Sequence, residues 1–382
     1  MAGIYIHIPF CKKKCIYCNF YSIVSTKNIE QYVEAMITEM CDMRYEMCEN
    51  RKIGKSEINT IYFGGGTPTL LSVSLLEKII NAISENFKVD DEAECTIEAN
   101  PEQCSLEYLS ELKNLGFNRI SIGIQSFNDD ILQFLGRTHS ETDALLAIAN
   151  AQKTGFENIS VDLIYGIPLR SLQDWAQELK TVFQLPVKHL SAYSLTVEEN
   201  TLLHKKIFQQ KLQNIDDEDS LQEMRLLMNE AEKHGFEHYE VSNFALKNYH
   251  SKHNSNYWNR TPYLGFGASA HSFIDNTRSW NIANVEKYIQ AIENHEPFFE
   301  IEHLTSVEQY NEFVLLGLRT KNGVDVKHLA ERFGIEKRDY FLNALQKIDS
   351  QFYEKQSDSI CITKAGLPLL DYITVNLIQK TE

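Results

Sequence analysis

Nowhere in the 382 residues does an uninterrupted apolar run approach the length of a bilayer core, so no membrane-spanning helix is expected. Positive charge is in deficit. With 37 Lys and Arg against 53 Asp and Glu, the formal charge is −16, which argues against a protein that neutralises a phosphate backbone. Cysteines number eight, too few to form a disulfide framework in a chain of this length. The opening "GIYIHIPF" lacks both the apolar core of a secretory signal and the Arg/Ser bias of a transit peptide. The expected location is therefore the cytoplasm. No short-period repeat or low-complexity tract interrupts the chain. What remains is an ordinary globular composition, 43% hydrophobic and 24% charged, long enough for one large domain and a smaller one.

Apolar patterning then gives the order of elements. "GIYIHI", "INTIYF", "ECTIEA", "RISIGI", "NISVDLIYG" and "KHLSAYSL" read as strands. Between them, "IEQYVEAMITEMCDMRYEM", "SLLEKIINAISENF", "SLEYLSELKNLG", "TDALLAIANAQKTG" and "SLQDWAQELKTVF" carry helical periodicity, and residues 217–234 add a further helix. Strands that alternate with helices imply parallel pairing through right-handed crossovers. The fold class expected is α/β, a partial six-stranded β/α barrel over residues 1–285, followed by a smaller domain over 286–382.

The unusual residues sort to one place. "CKKKCIYC" follows the first strand, "GGGTPT" (Gly64–Thr69) the second, and "EANPE" (Glu98–Glu102) the third. "GIQSF", "DLIYGIP" and "SAYSLT" end the fourth, fifth and sixth. The carboxyl ends of the strands are where a β/α barrel assembles its site. Five cysteines, Cys41, Cys48, Cys95, Cys104 and Cys361, lie in apolar or helical patterns and read as buried small side chains. Cys11, Cys15 and Cys18 instead share one loop tip. A structural zinc site wants four ligands, and His7, the nearest alternative, sits within the strand. Three thiolates on a four-iron cluster leave one iron open to a further ligand.

The spacing CxxxCxxC, with Tyr17 before the last cysteine, resembles the radical S-adenosylmethionine (SAM) superfamily. The resemblance continues at "GGGTP" and at Glu98, Gln125, Arg137 and Asp162. It implies a [4Fe–4S] cluster on Cys11, Cys15 and Cys18 whose open iron is chelated by SAM. It further implies a SAM site drawn from Tyr5, Phe20, Gly65, Gly66, Thr67, Glu98, Gln125, Arg137, Asp162 and Thr196. Physically, Gly64–Gly66 would let backbone approach a ligand and present N–H groups to it. Glu98 suits ribose hydroxyls, and Arg137 a carboxylate. Gly166 and Pro168 would shape a turn beside adenine. Reductive cleavage of SAM, to a radical that abstracts hydrogen, is the chemistry implied.

"YIHIPFC", "GGGTPT", "IGIQSF", "DLIYGIP" and "YLGFGASAHSF" resemble one subgroup, which holds the oxygen-independent coproporphyrinogen III dehydrogenases and the HemW-type haem chaperones. The dehydrogenases decarboxylate propionates in porphyrin biosynthesis. They resemble one another in an extra cysteine two places after the third, where this chain has Phe20, and in an amino-terminal extension, where only ten residues precede Cys11. "HNSNYW" (His253–Trp258) is similar to the HNxxYW motif of the chaperones. The chaperone reading is therefore expected, with the dehydrogenase as alternative. It implies haem as a further cofactor, held by His253, Tyr257 and Trp258, with His271 as the second histidine to consider. It also implies a haem-acceptor protein as partner, and an electron donor such as flavodoxin or ferredoxin if SAM is cleaved. The tail from about residue 300 resembles the subgroup's helical, winged-helix-like domain. With ten Lys and Arg against twelve Asp and Glu over residues 301–382, it offers no basic face for nucleic acid.

Overall fold

The computed structural model describes residues 1–50, 57–168, 170–210, 212 and 216–380, the side chains of 43–50 excepted. Cys48 lies outside the described side chains. The first half of the chain alternates as expected: β1 (Ala2–Ile8), α1 (Ile29–Asn50), β2 (Ile58–Gly65), α2 (Val73–Asn86), β3 (Val89–Ala99), α3 (Leu106–Asn114) and β4 (Arg119–Gln125). Then come α4 (Asp129–Leu135), α5 (Glu141–Lys153), β5 (Asn158–Tyr165), α6 (Leu172–Gln184), β6 (His189–Ser194), α7 (Leu202–Phe208) and α8 (Asp217–Lys233). Local chemistry sets these boundaries. Ser140 and Ser171 open α5 and α6 with reciprocal capping boxes to Asp143 and Asp174. Gly116 and Gly155, at φ 94° and 86°, take the left-handed turn just past α3 and α5.

Strands β1 to β6 lie side by side in chain order and pair in parallel. Beyond β6 the sheet continues through β7 (Glu237–Glu240) and β8 (Asn243–Ala245), with β8 antiparallel to β6. After α9 (Lys252–Trp258), β9 (Tyr263–Phe266) pairs in parallel with β1. Then β10 (His271–Ile274), β11 (Thr277–Asn281), α10 (Val285–Glu293) and β12 (Phe299–His303) follow, the strands extending that edge antiparallel.

The two faces of the parallel strands differ. Ile4, Ile6 and Ile8, Ile61 and Phe63, Ile120, Ile122 and Ile124, and Val161 and Leu163 all belong to the main apolar core. The alternate positions are polar: Tyr5 and His7, Thr60 and Tyr62, Thr96 and Glu98, Arg119 and Ser121, Ser160 and Asp162, His189 and Ser191. Because successive strand residues point to opposite faces, this alternation makes one apolar face and one polar interior. Barrels of this type are usually filled with branched apolar side chains; here hydrogen bonds run across the interior, from Tyr62 to Glu98 and from Ser121 to Asp162.

The boundary expected at 285/286 falls inside the large unit. Helix α10 contributes Tyr288, Ile289 and Ile292 to the main core, and β12 pairs with β11. Buried Glu39 on α1 accepts from Gly267 N, Asn281 Nδ2 and Tyr288 Oη, tying these late elements to the first helix. A second core forms from Tyr310 onward, on α11 (Ser306–Leu318), β13 (Val324–Asp325), α12 (Val326–Phe333), α13 (Ile335–Leu345), β14 (Tyr353–Gln356), β15 (Ser359–Ile362) and α14 (Leu370–Leu377). Its three strands form a separate antiparallel sheet. Glu312 meets Arg260 and Arg278 where the two units touch.

Candidate functional site

The cysteine loop is held at both ends and in the middle. Cys11 N donates to Ile23 O at 2.9 Å and Ile23 N to Pro9 O at 2.8 Å, closing the loop on itself. Midway, Ile16 N donates to Leu135 O and Ile16 O accepts from Leu203 N. Its side chain packs with Ile131, Leu135, Ile164 and Leu203 in a small separate core. The loop is thus moored to α4 and α7, neither of which was legible in the sequence. Cys11, Cys15 and Cys18 are free thiols, each half-buried. Burial pushes the Cys11 and Cys18 thiols up. No three Cys, His, Asp or Glu side chains among the described residues converge on a single ion. A four-iron cluster does not need them to, since each thiolate takes a different iron.

Two of the three sulfurs receive a side-chain donor. Arg137 Nη1 lies 3.5 Å from Cys15 Sγ, and Thr67 Oγ1 lies 3.7 Å from Cys11 Sγ. Asn100 stands between these donors. Its Oδ1 accepts from Arg137 Nη2 at 2.6 Å, and its Nδ2 donates to Thr67 Oγ1 at 3.2 Å. Arg137 Nη2 also donates to Gly123 O.

The glycine run packs tightly against the end of β1. A Cβ on Gly66 would meet Phe10 O at 2.7 Å, Pro9 C at 2.8 Å and Ile8 O at 2.9 Å, all backbone. A Cβ on Gly65, at φ 110°, would strike the His7 ring. The N–H groups expected to face a ligand are already engaged, Gly66 N with Ile8 O and Gly65 N with Glu98 Oε2. The run therefore serves close backbone approach rather than open N–H donation.

Glu98 also accepts from Tyr62 Oη at 2.7 Å. Burial, with a smaller push from Asp162, raises its carboxyl to about 7. Asp162 accepts from Ser121, and burial raises its carboxyl as well. Gln125 ends β4 at φ 72°, a backbone region that a side chain enters at a cost of roughly 1–3 kcal/mol and that clusters at functional sites. Tyr5 lies deeper in the interior, its hydroxyl on His7 Nδ1. The other His7 nitrogen faces Tyr21 O, and burial lowers this ring to about 4, so it sits within the barrel as expected. Phe20 and Thr196 occupy the rim, Phe20 72% exposed. Glu198, which the sequence did not single out, accepts from both Asn19 and Thr196 and so joins two rim loops. Gly166 N donates to Glu223 Oε2, which also meets Arg170. Thr67, Glu98, Asn100, Gln125, Arg137 and Asp162 thus line the end of the barrel that carries the cysteines.

His253, Tyr257 and Trp258 are elsewhere. Helix α9 lies under the amino ends of β1–β3, its first N–H groups on Glu94. The His253 ring is 1% exposed, with Nδ1 on Thr60 Oγ1 and Nε2 on Tyr257 Oη, each at 2.8 Å. It sits beside Gly3, five residues before Ile8 at the other end of β1. At the rise of a strand that is roughly 16 Å from the cysteine end. The expected haem ligand is a barrel plug: its nitrogens are both paired and its edge is enclosed. His271 differs, being exposed at the start of β10, its ring 6.1 Å from that of Trp280.

With this geometry in place, comparison with known proteins is direct. The radical SAM superfamily model matches residues 5–182, and that of the HemN C-terminal domain matches residues 304–369. The heme chaperone HemW of Bacillus subtilis is 36% identical over 96% of this chain and 96% of its own length. The chain belongs to the HemW family of radical SAM proteins. The heme chaperone HemW of Lactococcus lactis is likewise 36% identical, over 86% of this chain and 84% of its own. In structure, coproporphyrinogen III oxidase (HemN) from Escherichia coli superposes with a TM-score of 0.84 over 99% of this chain and 90% of its own. Its 22% identity makes that a likeness of fold.

Superfamily membership implies a [4Fe–4S] cluster and SAM. The residues present fit both. Three free thiols share one moored loop with donors aimed at two sulfurs, and a polar barrel mouth adjoins them. No helix among the described residues is long and apolar enough to cross a membrane.

Proposed function

We propose that this chain is a haem chaperone built on a radical SAM scaffold, which binds haem and passes it to an acceptor protein. The observation that carries the reading is its identity with HemW proteins over nearly the full length of both chains, coupled with Phe20 where the decarboxylating enzymes resemble one another in a cysteine. Cys11, Cys15 and Cys18 hold the cluster. Gly65, Gly66, Thr67, Glu98, Gln125, Arg137 and Asp162 form the SAM site, with Tyr5, Phe20 and Thr196 at its margins. Together the two cofactors supply one-electron chemistry, for which a flavodoxin or ferredoxin is the donor if SAM is cleaved. Within the protein, Glu98 and Asp162 accept hydroxyl donors, and the glycine run allows close approach. The moored loop keeps the thiols together.

For haem, His271 replaces His253 as the ligand. It is exposed, it neighbours the Trp280 indole at 6.1 Å between ring centres, and among the described residues its ring nitrogens have no partner. A neutral imidazole is the form that ligates iron. The test is anaerobic reconstitution with iron and sulfide followed by haem titration. Wild type is expected to give a Soret band that His271→Ala shifts or weakens. No haem uptake by reconstituted wild type contradicts the reading, and titration unchanged in His271→Ala removes that ligand.

A further inference from the structure

We propose that Asn100 is a positioning residue for the cluster: it fixes Thr67 and Arg137 so that each aims a hydrogen bond at a cysteine sulfur, and so sets the cluster's reduction potential. The inference rests on the reading that Cys11, Cys15 and Cys18 carry the cluster.

The polarity of the network follows from donor inventory. A guanidinium can only donate, so the Asn100 atom 2.6 Å from Arg137 Nη2 is its carbonyl oxygen. The amide nitrogen then faces Thr67 Oγ1 at 3.2 Å and donates to it. With its oxygen already accepting, Thr67 directs its own proton to Cys11 Sγ, 3.7 Å away. The second arm runs from Arg137 Nη1 to Cys15 Sγ at 3.5 Å. One amide thereby orients donors on two different ligands. Only an amide does this. An aspartate would accept from both sides and turn the Thr67 proton away from sulfur, and an alanine would hold neither. Hydrogen bonds to ligand sulfurs stabilise the electron-rich reduced cluster and raise its potential.

Asn100 has the backbone role of leading into the short turn at Pro101–Gln103, but its side chain makes no capping bond there. The amide is therefore free for the network, which is why the position demands more than a turn-former.

The experiment is a redox titration, followed by electron paramagnetic resonance, of the reconstituted full-length protein and of Asn100→Ala, Asn100→Asp, Thr67→Val and Thr67→Ser. Iron and sulfide are assayed in each. Asn100→Ala, Asn100→Asp and Thr67→Val are expected to take up the cluster at a more negative potential, and Thr67→Ser, which keeps the hydroxyl, at that of wild type. Wild-type potential in Asn100→Ala and Thr67→Val with full cluster content overturns the proposal, as does a Thr67→Ser that behaves like Thr67→Val. If Asn100→Ala does not fold, Asn100→Asp and the Thr67 pair decide it. A wild type that binds no four-iron cluster overturns the reading beneath, and is distinguished by the iron assay alone.

Discussion

His253 Nε2 lies 2.8 Å from the Tyr257 hydroxyl while its Nδ1 lies 2.8 Å from Thr60 Oγ1, so one ring joins α9 to β2 with no nitrogen left over. His253→Ala should therefore act on stability. It removes a buried ring and takes a partner from two hydroxyls, of which Thr60 keeps the Asn256 amide, a loss of about 2–4 kcal/mol in urea unfolding at pH 7. Haem titration of the folded variant should match wild type. The pH dependence carries a sign. Burial lowers this ring to about 3, so it stays neutral in the fold. Its contribution is present above the ordinary value near 6.5 and is lost as pH falls toward 3. The stability gap between wild type and variant should shrink from pH 7 to pH 5; a constant gap contradicts the assignment.

That same residue shows where sequence reading stops. A histidine, two amides and two aromatics within six residues read alike whether they grip a ligand or close a barrel. Only the pairing of β1 with β2 and β9 reveals which end of the strands they occupy. The six parallel strands were legible because their polar and apolar positions largely alternate and glycines stop α3 and α5 between them. The later strands were not: β9–β12 are four or five residues each, set among Gly, Ser and Asn, and are defined by partners far away in sequence. Asn100 was hidden for a different reason. Before a proline, an asparagine reads as a turn residue, and nothing local says that its amide will reach an arginine 37 positions on.

Glu98 gives the SAM site a pH dependence. Its carboxyl, pushed up to about 7 by burial, becomes the anion that ribose hydroxyls would favour only as pH rises through that value. SAM binding by calorimetry should tighten between pH 6 and pH 8, and Glu98→Gln should abolish most of that dependence. In the absence of SAM the stability effect runs the other way. A raised carboxyl stabilises below the ordinary value and that stability is lost as pH climbs through 7. Equal pH profiles for wild type and Glu98→Gln would remove Glu98 from the site.

Gly66→Ala tests the packing of the glycine run. The new methyl meets three backbone atoms of Ile8–Phe10, none of which can rotate away. A destabilisation of about 1–3 kcal/mol is expected from overpacking, together with reduced iron uptake, because Phe10 leads directly into Cys11. Full iron incorporation with unchanged stability would show that β1 and β2 are not pressed together here.

Arg170 is buried between Glu178 and Glu223, and the carboxylates in turn hold Phe127 N and Gly166 N at the ends of β4 and β5. Replacing Arg170 by Met leaves two buried acids without a cation, at a cost of about 3–5 kcal/mol. Thermal unfolding should show it, and SAM affinity should fall because both strand-end loops lose their anchor. A variant as stable as wild type would contradict the triad's role.

The choice between carrier and decarboxylating enzyme comes down to one divided sample. Anaerobically reconstituted protein, with its cluster verified by iron and sulfide content, is split between a haem titration and an assay for conversion of coproporphyrinogen III with SAM and reductant. Haem binding without porphyrinogen turnover is the expected result; turnover by a preparation that binds no haem would contradict the chaperone reading outright.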